Sequence, residues 1–115
     1  MSQQRQLQDS RGLRFPFDAR TEVIPENSTN NLTGRVTELS FRGCFVELAS
    51  KLTEKQRVLL KIHHSDEFFE ASAEVIYVRP NGAGLVFGDM KPLFRQVLQG
   101  WILSAMDKSP KSEHD

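Results

Sequence analysis

Two short stretches of this chain carry side chains whose types and spacing could do chemistry. The first is Arg11-Gly12-Leu13-Arg14, followed at once by Phe15-Pro16-Phe17. Guanidinium groups bind phosphate through two parallel hydrogen bonds and stack on the flat face of a purine. Pro16 drives Phe15 toward extended backbone, which helps to set where Arg14 points. The second is Glu38-Leu39-Ser40-Phe41-Arg42-Gly43. A strand ends there in a carboxylate and a hydroxyl, then turns at a glycine into the next strand. Serine and the backbone N–H groups of such a turn can bind a polar ring or a phosphate. Gly43 sits where a positive φ is expected. Taken singly, each stretch also has a plainer account: solvated arginines on a polar arm, and a hairpin connection with serine as its turn residue.

Other residues with reactive side chains fall into weaker patterns. His63 and His64 are adjacent, with Asp66 and Glu67 close by. Neighbours on a strand point to opposite faces, so the two rings cannot share one metal without distortion, and no metal site is expected. Cys44 is the one cysteine and lies among apolar strand residues, which predicts core packing rather than a nucleophile. Gly82, Gly84 and Gly88 do not lie between a strand and a helix, and no Gly-Lys-Ser/Thr follows them, so they read as turn and packing glycines. Asn27-Ser28-Thr29 and Asn31-Leu32-Thr33 match glycosylation sequons, but no secretory signal accompanies them. No acid–base pair or nucleophile triad stands out, and an enzyme is not expected.

The elements that must position these residues are short strands followed by one helix. Strands are predicted at Arg20–Ile24, Leu32–Leu39, Cys44–Leu48, Gln56–His63, Phe68–Arg79 and Ala83–Phe87. Strict alternation in the second puts Val36 and Leu39 on opposite faces, and in the fifth it puts Ala71, Ala73, Val75 and Tyr77 together. Pro80-Asn81-Gly82 predicts a tight hairpin, with Asn-Gly in a type I′ turn. The helix is predicted from Lys91 to about Met106, with Asp89 as N-cap and Pro92 in the first turn. Leu93, Phe94, Val97, Leu98, Trp101, Ile102, Ala105 and Met106 form its apolar stripe. Residues 1–13 read as a flexible polar arm, 14–106 as one domain, and 107–115 as a disordered tail.

Composition narrows the function. The 115 residues leave room for one domain, and 15 basic residues balance 15 acidic ones. A net charge of zero argues against a binder of nucleic acid polymers, so any anion site must be a local cluster. One cysteine excludes a disulfide framework. No apolar run reaches the length of a membrane span, and the first residues lack the apolar core of a signal peptide, so membrane insertion is not expected and a cytoplasmic location is.

An arginine-bearing arm, a small β-barrel with an acidic-x-Ser-x-x-Gly turn, and a C-terminal helix together resemble the PilZ domain. The resemblance runs from about Arg11 to Met106. It is carried by Arg14-Phe15-Pro16-Phe17, Leu39-Ser40-Phe41-Arg42-Gly43-Cys44-Phe45-Val46 and Gly84-Leu85-Val86-Phe87. It implies a mainly β fold, a six-stranded antiparallel PilZ-type β-barrel with a C-terminal α-helix. It also implies a non-catalytic receptor for cyclic di-GMP, with Arg11, Arg14, Glu38, Ser40 and Gly43 as ligand-binding residues. Arg14, Ser40 and Gly43 match the family's Arg-x-x-x-Arg and Asp/Asn-x-Ser-x-x-Gly motifs. Ser10 stands at the first arginine, with Arg11 beside it, and Glu38 holds the acidic position with one extra methylene. Loss of one charge-assisted hydrogen bond to a phosphate weakens binding by about tenfold to hundredfold. The resemblance further implies signalling by ordering of the arm and contact with a partner protein. These departures keep an alternative open: a PilZ-like protein–protein interaction module that has lost nucleotide binding.

Overall fold

The computed structural model describes the backbone of residues 13–114 and the side chains of residues 13–107. Ser10 and Arg11 therefore lie outside the described residues. Those described form six strands and one helix: β1 (Phe15–Pro25), β2 (Leu32–Leu39), β3 (Gly43–Leu48), β4 (Arg57–His64), β5 (Glu67–Arg79), β6 (Gly82–Phe87) and α1 (Pro92–His114). The strands close into an antiparallel barrel in the order β1-β2-β3-β6-β5-β4. This is the expected architecture, a six-stranded barrel with one C-terminal helix.

Alternation explains most of the interior. Val58, Leu60 and Ile62 of β4 point inward, as do Cys44, Val46 and Leu48 of β3. On β5, Phe69 fills the barrel beside the small Ala71 and Ala73. β1 begins at Phe15, five residues before the expected Arg20. Pro16 lies opposite Glu38 of β2, whereas β4 joins β1 only from Arg20 onward. The missing proline N–H thus falls where β1 is bonded on one side alone.

The pairings carry three register shifts, one of them in β1 between Pro16 and Ala19, and those in β2 and β5 bear on the site. A bulge in β2 between Val36 and Glu38 brings Val36 and Leu39 both into the core, where alternation had put them on opposite faces. A second bulge, in β5 between Val75 and Tyr77, takes Tyr77 off the interior face that Ala71, Ala73 and Val75 share.

The glycine expectations also need correction. Arg79 pairs with Gly82, so the central hairpin residues are Pro80 and Asn81 rather than Asn81 and Gly82. None of these has a positive φ. The proline ring holds φ negative at the first central position, which excludes the type I′ turn. Gly43 has no positive φ either. Its requirement is space, because a Cβ there would collide with the backbone carbonyl of Leu85 on β6.

The helix starts at Pro92, whose missing N–H costs nothing in the first turn. The Lys91 carbonyl accepts from the N–H groups of Phe94 and Arg95. Asp89 is not the cap, since the helix begins at Pro92 and Lys91 takes the cap position; the Asp89 carbonyl accepts from the N–H of Ser72 at 3.2 Å. Leu98, Trp101 and Ile102 are buried, and α1 packs on β5 and β1. The stripe is narrower than expected, because Leu93 and Met106 are exposed. The backbone stays helical to His114, past the end expected near Met106. A polar run suits a solvated helix as well as coil, so composition alone does not separate them. No helix among the described residues is long and apolar enough to cross a membrane.

Candidate functional site

The start of β1, the end of β2, the turn that follows it and the facing parts of β3, β6 and β5 enclose a groove of about 270 Å³. Arg14, Glu38, Ser40, Arg42, Gly43, Phe45 and Tyr77 are among its lining residues. Of the five residues implied as ligand-binding, Arg14, Glu38, Ser40 and Gly43 thus share one surface, although 24 positions separate Arg14 from Glu38. Strand pairing does this: Phe15 sits opposite Leu39 and Pro16 opposite Glu38.

Ser40 is buried and builds the turn. Its Oγ accepts from the N–H of Arg42 at 3.2 Å and of Gly43 at 3.1 Å, and donates to the Gly43 carbonyl at 3.2 Å. Its own N–H donates to the same carbonyl at 2.9 Å. The Arg42 carbonyl accepts from the N–H of Phe87 at 2.7 Å, which ties the turn to β6. Ser40 and Gly43 therefore fix the loop that carries Arg42, while Gly43 lets β3 approach β6.

Arg14 and Glu38 supply the charge. Nη1 of Arg14 lies 3.6 Å from Oε1 of Glu38 and donates to Oη of Tyr77 at 3.2 Å. Both ionic side chains are about half exposed, so the pair contributes little stability and exchanges readily for another partner. Among the described residues Arg42 pairs with no carboxylate. The groove therefore carries a local cationic excess on a chain of zero net charge.

Tyr77 and Phe45 were not among the site residues expected from sequence. The β5 bulge turns Tyr77 outward, opposite Gly84. A Cβ at Gly84 would run into the Tyr77 ring, so glycine opens the space that the ring fills. Phe45 stacks beside it with ring centroids 6.2 Å apart and planes 24° apart. The signal lay in the hairpin: counting back from a Pro80-Asn81 turn puts an aromatic opposite a glycine, a pairing in which the ring covers the bare backbone.

The remaining candidates do not converge. Nε2 of His63 lies 2.9 Å from Oε2 of Glu22, and Asn31 Nδ2 donates to Oε1 at 2.9 Å. These bonds, the one from Asn31 foremost, hold the Glu22 carboxyl below its usual range. The His64 ring packs instead on Phe17 and Trp101. Among the described residues no three His, Cys, Asp or Glu side chains gather as metal ligands. Cys44 is buried, and burial pushes its thiol up to about 12, so it carries no thiolate at neutral pH.

A family model described as the PilZ domain matches residues 3–104. No curated protein matches the chain. Among solved structures, the PilZ domain of CeSA from a cellulose-synthesizing bacterium is similar with a TM-score of 0.65 at 17% identity, over 80% of this chain and 96% of that one. The PilZ domain of YcgR from Escherichia coli, solved with c-di-GMP, gives 0.70 at 15% identity, over 90% and 95% of the two chains. YcgR from Escherichia coli in complex with c-di-GMP gives 0.69 at 19% identity, over 89% of this chain and 48% of that one. At these identities the structures speak for the fold alone. The match to the family model takes in all six strands and most of the helix, and on that ground the chain belongs to the PilZ domain family.

Proposed function

We propose that this PilZ domain is a cytoplasmic receptor for cyclic di-GMP and that the groove at Arg14, Glu38 and the Ser40–Gly43 turn is its site. The observation that carries the reading is the half-exposed Arg14–Glu38 pair on the groove wall. A guanidinium matches phosphate and a purine face, and a carboxylate accepts two N–H donors from a guanine edge. Breaking an exposed pair costs about 0–1 kcal/mol, less than one charge-assisted bond to the ligand returns. Arg11 supplies part of the contact that Ser10 cannot make. The N-terminal arm orders over the bound nucleotide, and that ordering presents a new surface to a partner protein. No step of this role is catalytic.

Calorimetric titration with cyclic di-GMP tests the reading. Saturable binding that Arg14→Ala abolishes supports it. No heat from folded protein at low salt, where screening is weak, refutes it and favours the second reading, a protein–protein interaction module that has lost the nucleotide. Ser10 at the first motif arginine, together with a Glu38 already satisfied by Arg14, is what favours that second reading.

A further inference from the structure

We infer that the outer face of α1 is a self-association surface, on which a second copy of this chain docks antiparallel. The inference is independent of the nucleotide.

α1 has two distinct faces. Leu98, Trp101 and Ile102 are buried against the barrel, and Phe94, Val97 and Ala105 pack on the same core. Leu93 is 64% exposed and Leu103 62%. Leu93, Gln96, Gly100 and Leu103 follow one another at steps of three, four and three residues, the spacing of a coiled-coil seam. All four are exposed. At 3.6 residues per turn this seam lies on the side of the helix away from the barrel, which leaves it open to a partner.

A helix face that meets only water usually carries charges. Here no charged residue stands between Arg95 and Asp107, in a chain whose residues are 26% charged. Gly100 is a second sign. Glycine weakens a helix interior relative to alanine. A Cβ at Gly100 would meet nothing within 4 Å among the described residues, so packing inside the chain does not call for glycine there. The close approach of another helix does.

The order of side chains along the seam selects the partner and its direction. In an antiparallel pair, Leu93 of one copy meets Leu103 of the other, and Gln96 of one meets Gly100 of the other. The register repeats under a twofold axis, as a closed pair of identical surfaces requires. Leucine meets leucine at both ends, and a long side chain covers a bare backbone twice in between. A parallel pair in register sets Gly100 against Gly100, leaves a gap, and brings like ends of the helix dipoles together. An uncharged face also suits a second uncharged face, whereas a charged partner would lose water from its charges without gaining an ion pair. The seam from Leu93 to Leu103 is only about 15 Å long. Such a contact falls below the roughly 1,600 Å² of a standard interface, so the dimer is weak and forms at high protein concentration.

Sedimentation equilibrium of the full chain over a range of concentrations tests this, with circular dichroism to confirm folding. The wild-type mass rises from 13.1 kDa toward twice that value as concentration increases. Leu93→Glu and Leu103→Lys each weaken association at least about tenfold, because each puts an unpaired charge into the seam. The double variant Leu93→Glu/Leu103→Lys restores association, since antiparallel docking sets opposite charges against each other at both leucine contacts. Gly100→Ala weakens association while raising the melting temperature of dilute protein. All three positions are exposed, so the fold tolerates these changes. A wild type that stays at 13.1 kDa at the highest attainable concentration overturns the inference. Association that Leu103→Lys leaves untouched also overturns it, as does a double variant that remains monomeric.

Discussion

Trp101→Ala tests how the helix is held to the barrel. Trp101 is 4% exposed. Its ring lies 5.3 Å from Phe17, 5.5 Å from His64 and 6.1 Å from Phe69, centroid to centroid. Its Nε1 donates to Oε1 of Glu67 at 2.7 Å. A buried indole removes on the order of 200 Å² from water, an upper bound near 5 kcal/mol at about 25 cal/mol per Å². The surrounding rings relax only in part, and such truncations cost about 3–5 kcal/mol. The lost hydrogen bond adds little, because Glu67 is exposed and regains water. A domain of this size is stable by roughly 5–15 kcal/mol, so the variant sits near the edge of folding. Urea unfolding followed by far-UV circular dichroism reads the difference without needing the tryptophan. A loss below about 1 kcal/mol would refute the reasoning, since such a value belongs to a surface residue.

Three further outcomes follow from particular residues. Gly43→Ala places a Cβ against the rigid Leu85 carbonyl and lowers stability by about 2–3 kcal/mol, whereas Gly100→Ala meets nothing within 4 Å and raises it by about 0.5–1 kcal/mol; equal melting temperatures would contradict both. The Glu22 carboxyl is held below its usual range in the folded state, so its contribution is present above the ordinary carboxylate range and is lost as pH falls through the lowered value. Glu22→Gln therefore flattens the acid limb of stability against pH, and an unchanged limb in urea midpoints would count against the Asn31 and His63 bonds. Cys44, buried and with its thiol raised to about 12, resists alkylation in native protein and reacts only on unfolding; mass spectrometry showing rapid native labelling would contradict its place in the core.

The parts of the fold open to sequence reasoning were those where one period ran without interruption. β3 and β4 keep strict alternation, and their inward residues follow from it. The bulges in β2 and β5 leave no mark in composition, because a bulge is decided by cross-strand register and not by the strand that carries it. That is why alternation separates Leu39 from Val36 and groups Tyr77 with Ala71, Ala73 and Val75, whereas the structure buries Leu39 with Val36 and turns Tyr77 out of the barrel. Glycine misled in a related way. At Gly43 the constraint is the approach of another strand, which a rule about φ cannot anticipate. The juxtaposition of Arg14 with Glu38, Ser40 and Gly43 was legible only through motif resemblance, since a separation of 24 positions is closed by β1–β2 pairing that local propensity does not specify. Tyr77 needed the register of the β5–β6 hairpin, and that depended on Pro80 displacing the turn by one residue.

The central claim is that one groove of this barrel receives cyclic di-GMP. Backbone amide shifts of labelled protein, followed during titration with cyclic di-GMP, test it most directly. The account predicts saturable changes concentrated at Arg14, Glu38 to Phe45, Tyr77 and Gly84, with Leu98 and Ile102 of the helix unmoved. An unchanged spectrum, or changes confined to the helix, would contradict it.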